Sequence, residues 1–275
     1  RERARQVIIE SLKKGIIAFS ELSLSNLFQN KLQTYQMFPN LVIPTVAIGT
    51  LTKKHYDDAR KKLGELIKSH YSEKDFSSEL VLKDNFGSSG INVVKVSPNL
   101  SFEEVKRKAE NENETGHEVW YVLQPFVLCD KGFSFGEYKG MIDLRLWMIN
   151  DQILGRSIRI AKDGEFRANI HQGGTEVFIN KQDVPREVYD RAYQIRKHLN
   201  IKSSFYALDF IKSNSGRTYF IEGNSAPGID WVESDPSHVV RQKKTITTLA
   251  YEFRRTLKEI NKSTIVKCIP QMREE

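Results

Sequence analysis

The chain has 275 residues, 39% of them hydrophobic, and its 42 Lys and Arg against 35 Asp and Glu give a formal net charge of +7. That composition fills one large core or two small ones, and no run has the length of a transmembrane helix or the pattern of a signal peptide. The two cysteines, Cys129 and Cys268, stand apart from any ligand-like cluster, which argues against a disulfide framework and for a reducing, cytoplasmic compartment.

In chain order, a charged amphipathic start over 1–14 and a polar stretch over 20–30 precede the first strand, expected over 41–48 with Pro44 near its start or on an edge. Residues 53–71 carry helical spacing. Strands follow over 79–84 and 91–96, separated by the loop 85–90. Ser101 and Glu104 form a capping box that opens a helix. The next strand, 119–124, is expected to stop at Pro125. Strands over 141–150 and 152–162 turn around Asn150-Asp151, and a Gly-containing loop over 163–175 leads to a helix over 185–199. A hairpin over 205–229 and a last helix over 237–260 complete the chain. Mostly antiparallel strands with interspersed helices indicate an α+β architecture. The basic residues are spread along the chain, and Lys106-Arg107-Lys108 and Arg254-Arg255 fall on amphipathic helical patterns. They read as solvated faces, and nucleic acid is not the expected partner.

The hairpin carries the sharpest signal. If its turn centres on Ser215-Gly216, Asp209 lies directly opposite Glu222, and Asn224 shares the face of Glu222. Facing carboxylates weaken an ordinary sheet, and a divalent cation removes that penalty; the bland alternative is a solvated polar face. Phe86-Gly-Ser-Ser-Gly90 offers small residues whose backbone N–H groups could wrap a phosphate, with Lys83 on the strand before it. Alone, such a loop is a common hairpin turn. Arg145 and Arg159 should fall roughly opposite each other and share one face, calling for an anion such as a triphosphate or a developing acyl phosphate. Ion pairing with Asp143, Asp151 or Glu165 is the competing explanation. His171 has no acid partner in sequence and reads as an exposed or hydrogen-bonding side chain.

Together these residues resemble the ATP-grasp superfamily, and within it the RimK-like group of carboxylate–amine (glutamate) ligases, from about Asn30 to Trp231 and in the family's order. The resemblance implies an ATP-grasp fold, two α/β subdomains with mainly antiparallel sheets gripping ATP between them. It places Lys31 and Lys83 on the nucleotide phosphates and Gly87, Ser88, Ser89 and Gly90 in the lid loop. Gln124, Phe126 and Val127 match the hinge that meets adenine, and Asp130 is the candidate for the ribose. Pro125 stands where the family often carries an acidic hinge residue. Asp209, Glu222 and Asn224 match the ligands of Mg²⁺, with Mn²⁺ as a substitute. Arg145 and Arg159 match the phosphate segments, and Arg167, Asn169, Gly173 and Gly174 the acceptor segment.

The implied organisation is an N-terminal segment over 1–29, a remnant of or linker from a preceding domain, then subdomains over 30–127 and 128–262 and a tail over 263–275. The implied function is an ADP-forming ligase that joins a small-molecule or peptide carboxylate to an amine through an acyl phosphate. A kinase of the same fold acting on a hydroxyl, or a nucleotide-binding module without chemistry, are the alternatives.

Overall fold

The computed structural model describes residues 21–113, 116–199, 201, 204–228 and 236–268, so the expected charged start over 1–14 lies outside it. Helices α1 (Leu22–Gln29) and α2 (Lys31–Met37) lead to strand β1 (Val46–Gly49) and helix α3 (Lys53–His70). Strands β2 (Phe76–Asp84) and β3 (Val93–Val96), helix α4 (Phe102–Glu112) and strand β4 (Tyr121–Val127) follow. The four strands form one antiparallel sheet in the order β1-β4-β2-β3. Then come β5 (Ile142–Ile149), β6 (Gln152–Ile160), β7 (Thr175–Phe178), α5 (Arg186–Leu199), β8 (Phe205–Lys212), β9 (Thr218–Asn224) and α6 (Pro236–Cys268). Their strands form a second antiparallel sheet, β7-β6-β5-β8-β9. The α+β reading holds. No described helix is long and apolar enough to cross a membrane.

Each sheet has its own core. Tyr56 and Leu63 of α3 and Val105 and Ala109 of α4 pack on Leu82, Val94 and Leu123 of the first sheet. The α4 start is fixed as expected, with Ser101 accepting from the Glu104 N–H and Glu104 reaching back to the Ser101 N–H. Leu144, Leu146, Leu208 and Phe210 of the second sheet pack with Val188 and Ile195 of α5, and also with Leu24, Leu27, Phe28, Phe38 and Val42. Residues 24–42 therefore belong by packing to the second lobe, which differs from the division expected at 29/30. Gly223 shows how close α1 approaches, because a Cβ there would collide with the Phe28 ring.

Two strands differ from their sequence outlines for the same reason, a proline beside a lobe crossing. The run 41–48 is split: Val42 bridges Phe220 of β9, while Val46–Gly49 joins the first sheet, with Pro44 between them. Strand β4 runs through Pro125 instead of stopping there. Its pairing with β1 covers only Tyr121 to Leu123, so past Leu123 that edge asks no N–H of the proline.

The lobes are joined by a small apolar cluster of Ile43, Val127, Cys129 and Tyr219, and by the buried Asp75 just before β2. Its carboxylate accepts from Ser213 Oγ at 2.6 Å, from Tyr219 OH at 2.6 Å and from the Ser215 hydroxyl, all on the β8–β9 hairpin. Burial, with the Asp75 hydrogen bond beside it, pushes the Tyr219 phenol well above its ordinary range.

Candidate active site

The second sheet turns its apolar residues to its core and a set of charges to the cleft. Arg145 pairs in register with Asp209 on one side and Ser157 on the other, and Arg159 pairs with Asp143 and Glu176. The two arginines thus stand diagonally, two residues out of register, yet on one face as expected. Arg145 Nε and Nη2 each donate to Asp209 at 2.8 Å. Arg159 Nε and Nη2 each donate to Asp143 at 2.7 Å, and Nη2 also reaches Asp209 Oδ2 at 2.8 Å. Asp209 is 1% exposed, Arg159 4% and Arg145 9%. Charges this deep persist because each is paired in two-pronged geometry. Burial alone would raise Asp209, but the Arg145 and Arg159 guanidiniums outweigh it and hold the carboxyl below its ordinary range.

Asp209 and Glu222 are directly opposite across β8 and β9. Their surroundings differ. Glu222 lines the cleft with Asn224 beside it, whereas Asp209 lies beneath the arginines and lines neither cavity of the cleft. Asn224 Oδ1 accepts from the Ala226 N–H at 3.0 Å, which fixes its side chain in the turn after β9. Oxygen donors of this kind suit Mg²⁺ or Mn²⁺. Glu222 and Asn224 both line the outer cavity, whereas both oxygens of the Asp209 carboxylate are taken up by Arg145 and Arg159.

Two cavities meet in this cleft. The inner one is lined on its hinge side by Gln124, Phe126 and Val127, and on its lid side by Lys31, Lys83 and Gly87. The outer one is lined by Phe28, Phe86, Ser89, Arg145, His171 and Asn224 among others. Arg159, Glu222, Asn169, Gly87 and Ser88 line both and mark their junction. Lys31 opens α2, whose first N–H groups are tied to Asn85 at the end of β2, and its Nζ donates to Gly87 O at 2.5 Å. Lys83 is pushed down to about 8 by burial, with Glu222 pulling it up and Lys31 pushing it further down. In the lid, Ser89 and Gly90 take positive φ, 60° and 75°, and a Cβ on Gly90 would lie 3.1 Å from Asn169 Oδ1.

At the hinge, Thr45 Oγ1 donates to Ile43 O at 2.8 Å, so it must accept from Gln124 Nε2, also at 2.8 Å. This relay fixes the amide and leaves Gln124 Oε1 buried without a partner. Asp130 does not fit the ribose role. It sits at an exposed turn, accepts from Asn214 Nδ2 at 2.8 Å and does not line the cavity.

The loop between β6 and β7 departs furthest from its sequence reading. Arg167 lines the inner cavity, not the outer, and donates to Glu165, Glu112 and the lid carbonyl Gly90 O. Asn169 lies at the junction. Gly173 and Gly174 line neither cavity and shape the loop, Gly174 N donating to Asn169 O at 3.2 Å. His171 is exposed, as expected. Sequence reasoning missed Thr45, Glu112 and Glu176. Glu176 accepts from Ser157 Oγ at 2.6 Å, and burial raises its carboxyl. Period-two spacing from β7 could have placed Glu176 on the charged face, but nothing local marks the other two.

Two antiparallel sheets closing on a cleft with lysines under a glycine lid define the ATP-grasp architecture. D-alanine–D-alanine ligase of Bacillus anthracis, crystallised with ATP, shares it at a TM-score of 0.59 and 16% identity, over 92% of this chain and 76% of that one. The biotin carboxylase domain of Hydrogenobacter thermophilus 2-oxoglutarate carboxylase does so at 0.60 and 16%, over 90% and 51%. Residues 29–248 match the model of the RimK-like ATP-grasp domain, and the chain belongs to that family. Among curated relatives, a probable alpha-L-glutamate ligase of Haemophilus influenzae (strain PittEE) is 30% identical over 158 residues, 57% of this chain and 46% of the relative. One of Xanthomonas oryzae pv. oryzae (strain MAFF 311018) is 30% identical over 156 residues, 56% and 45%. The aligned stretch spans about half the length of these relatives.

Proposed function

We propose that this chain is an ADP-forming carboxylate–amine ligase using ATP and Mg²⁺. The observation that carries the reading is the junction of the two cavities at Arg159, Glu222 and the lid, which lets a phosphate end in one cavity meet a second substrate in the other. The unpartnered Gln124 Oε1 fits the exocyclic amine of adenine, and Lys31 and Lys83 fit the phosphates. Glu222 and Asn224, with Asp209, would hold the ion, which when bound would supply positive charge to the phosphate oxygens.

In this reading a substrate carboxylate in the outer cavity attacks the γ-phosphorus and displaces ADP, and an amine then attacks the acyl phosphate and releases phosphate. The chain's own part is to hold two anions together. Arg145 and Arg159, fixed in place by their aspartates, face the reacting end and stabilise charge without reorganising. The relatives' names suggest glutamate as one of the two substrates. The test is release of ADP and phosphate only when a carboxylate and an amine are both supplied, with hydroxylamine trapping a hydroxamate. Release of AMP would refute the mechanism.

A further inference from the structure

The loop between β6 and β7 belongs to the second lobe, yet it docks on the first. The Phe166 ring meets Phe126 at 5.9 Å edge-on, with Lys95 Nζ 4.7 Å from the Phe126 centroid and 6.0 Å from that of Phe166. Next to it, Arg167 Nη1 divides itself between Gly90 O of the lid at 3.2 Å and Glu112 Oε2 at 3.1 Å. Nε and Nη2 go to Glu165 on the same loop, at 3.2 and 2.9 Å. Glu165 thus orients the guanidinium within its own loop, and Glu112 is the carboxylate that ties it across the cleft.

Glu112 is badly placed for its own helix. It is the last residue of α4, where the helix dipole disfavours a carboxylate. Arg167 is the compensating charge, so the position makes sense as a cross-lobe contact and not as helix design. Because Arg167 lines the inner cavity and holds the lid carbonyl at once, anything that holds Arg167 also holds the lid.

We propose that Glu112 is a positioning residue that latches Arg167, and with it the loop and the lid, over the nucleotide. The proposal rests on the reading of the inner cavity as a nucleotide site. Nucleotide can leave only when the Arg167–Glu112 pair opens, so Glu112 sets the residence time of ADP while touching none of it.

The experiment is stopped-flow dissociation of a fluorescent ADP analogue with Mg²⁺ from the full chain. Glu112→Ala should speed dissociation about fivefold, the size expected for a partly exposed ion pair. Glu112→Gln should recover part of the loss, because its amide oxygen still accepts from Nη1. In Arg167→Ala, adding Glu112→Ala should change the rate no further, and nucleotide-free Glu112→Ala, which loses the same pair, should melt within about 4 °C of the parent. An unchanged dissociation rate in Glu112→Ala, or additive effects in the double variant, would overturn the latch while the nucleotide reading stands. A parent protein that fails to bind the analogue at millimolar concentration would overturn both.

Discussion

Asp209 and Glu222 are held opposite each other by a single extra residue, Ile221. From Lys212–Thr218 to Phe210–Phe220 the hairpin pairs about a turn centred on Ser215, a register that would set Ile221 against Asp209. The bulge inserts Ile221 and brings Glu222 into register instead, and both Ile221 and Glu222 then line the inner cavity. The two carboxylates do not share one fate. Asp209 is neutralised by three guanidinium N–H bonds of Arg145 and Arg159, while Glu222 is left to the cleft and the field of Lys83.

Glu222→Ala should abolish turnover with little effect on stability. Relief of repulsion from Asp209 is small because that charge is already matched, and the lost attraction to Lys83 offsets it. The unfolding free energy should move by no more than about 0.5 kcal/mol, read by urea titration. Turnover equal to the parent's at limiting Mg²⁺ would remove Glu222 from the proposed metal site.

Asp209→Ala should behave in the opposite way. It leaves two buried guanidiniums short of a counter-charge and should cost about 3–5 kcal/mol of stability. Asp209→Asn keeps one acceptor oxygen but loses the charge and turns an NH2 donor toward a guanidinium that now donates to Asp209, and should still cost much of this. A loss below about 1 kcal/mol in Asp209→Ala would mean that the arginines find other anions, and the pairing would not be a structural element of the sheet.

The charged face was legible because strands repeat every two residues. Asp143 with Arg145, and Glu222 with Asn224, declare one face from spacing alone. The expected pairing of Asp209 with Glu222 holds too, because a turn centred on Ser215-Gly216 with no bulge and the observed turn on Ser215 with one set the same two residues opposite each other. Long-range contacts were not legible. Nothing around Thr45, Asp75 or Glu112 announces that Gln124, the β8–β9 hairpin or Arg167 will meet them. Nor does any local pattern say that residues 24–42 cover the second sheet and not the first.

Nucleotide affinity should depend on Lys83 above pH 8. Burial pushes this ammonium down to about 8, well under its value in an unfolded chain. Between those values the unfolded chain holds a proton that the folded one has lost, so this group's contribution to stability rises with pH. Binding has the other sign. Phosphate favours the ammonium, so binding above pH 8 takes up a proton, and affinity should be flat below 8 and fall by up to about tenfold per unit above it. Lys83→Arg keeps its charge throughout and should flatten the profile. Equal pH profiles for the parent and Lys83→Arg between pH 7 and 9.5 would exclude Lys83 as the titrating contact.

The last prediction separates the roles of the arginines. Arg159 lines both cavities and Arg145 the outer one, while Arg167 lines the inner one alone. Arg159→Ala would confound chemistry with folding, because it strips a partner from both Asp143 and Asp209. Arg159→Lys is the better probe: it retains the charge but loses the planar two-pronged bond. It should lower kcat by about 10- to 100-fold and change KM for ATP little, since charge held rigidly at the junction matters most as the phosphoryl group moves. Arg167→Ala should do the reverse, raising KM for ATP through the inner cavity and lid and leaving KM for the carboxylate nearly unchanged. The resemblance places Arg167 in the acceptor segment instead, which would have it grip the carboxylate. Steady-state kinetics with each substrate varied in turn decides between the two: a rise confined to KM for the carboxylate in Arg167→Ala would return that role to it, and would place the acceptor in the inner cavity.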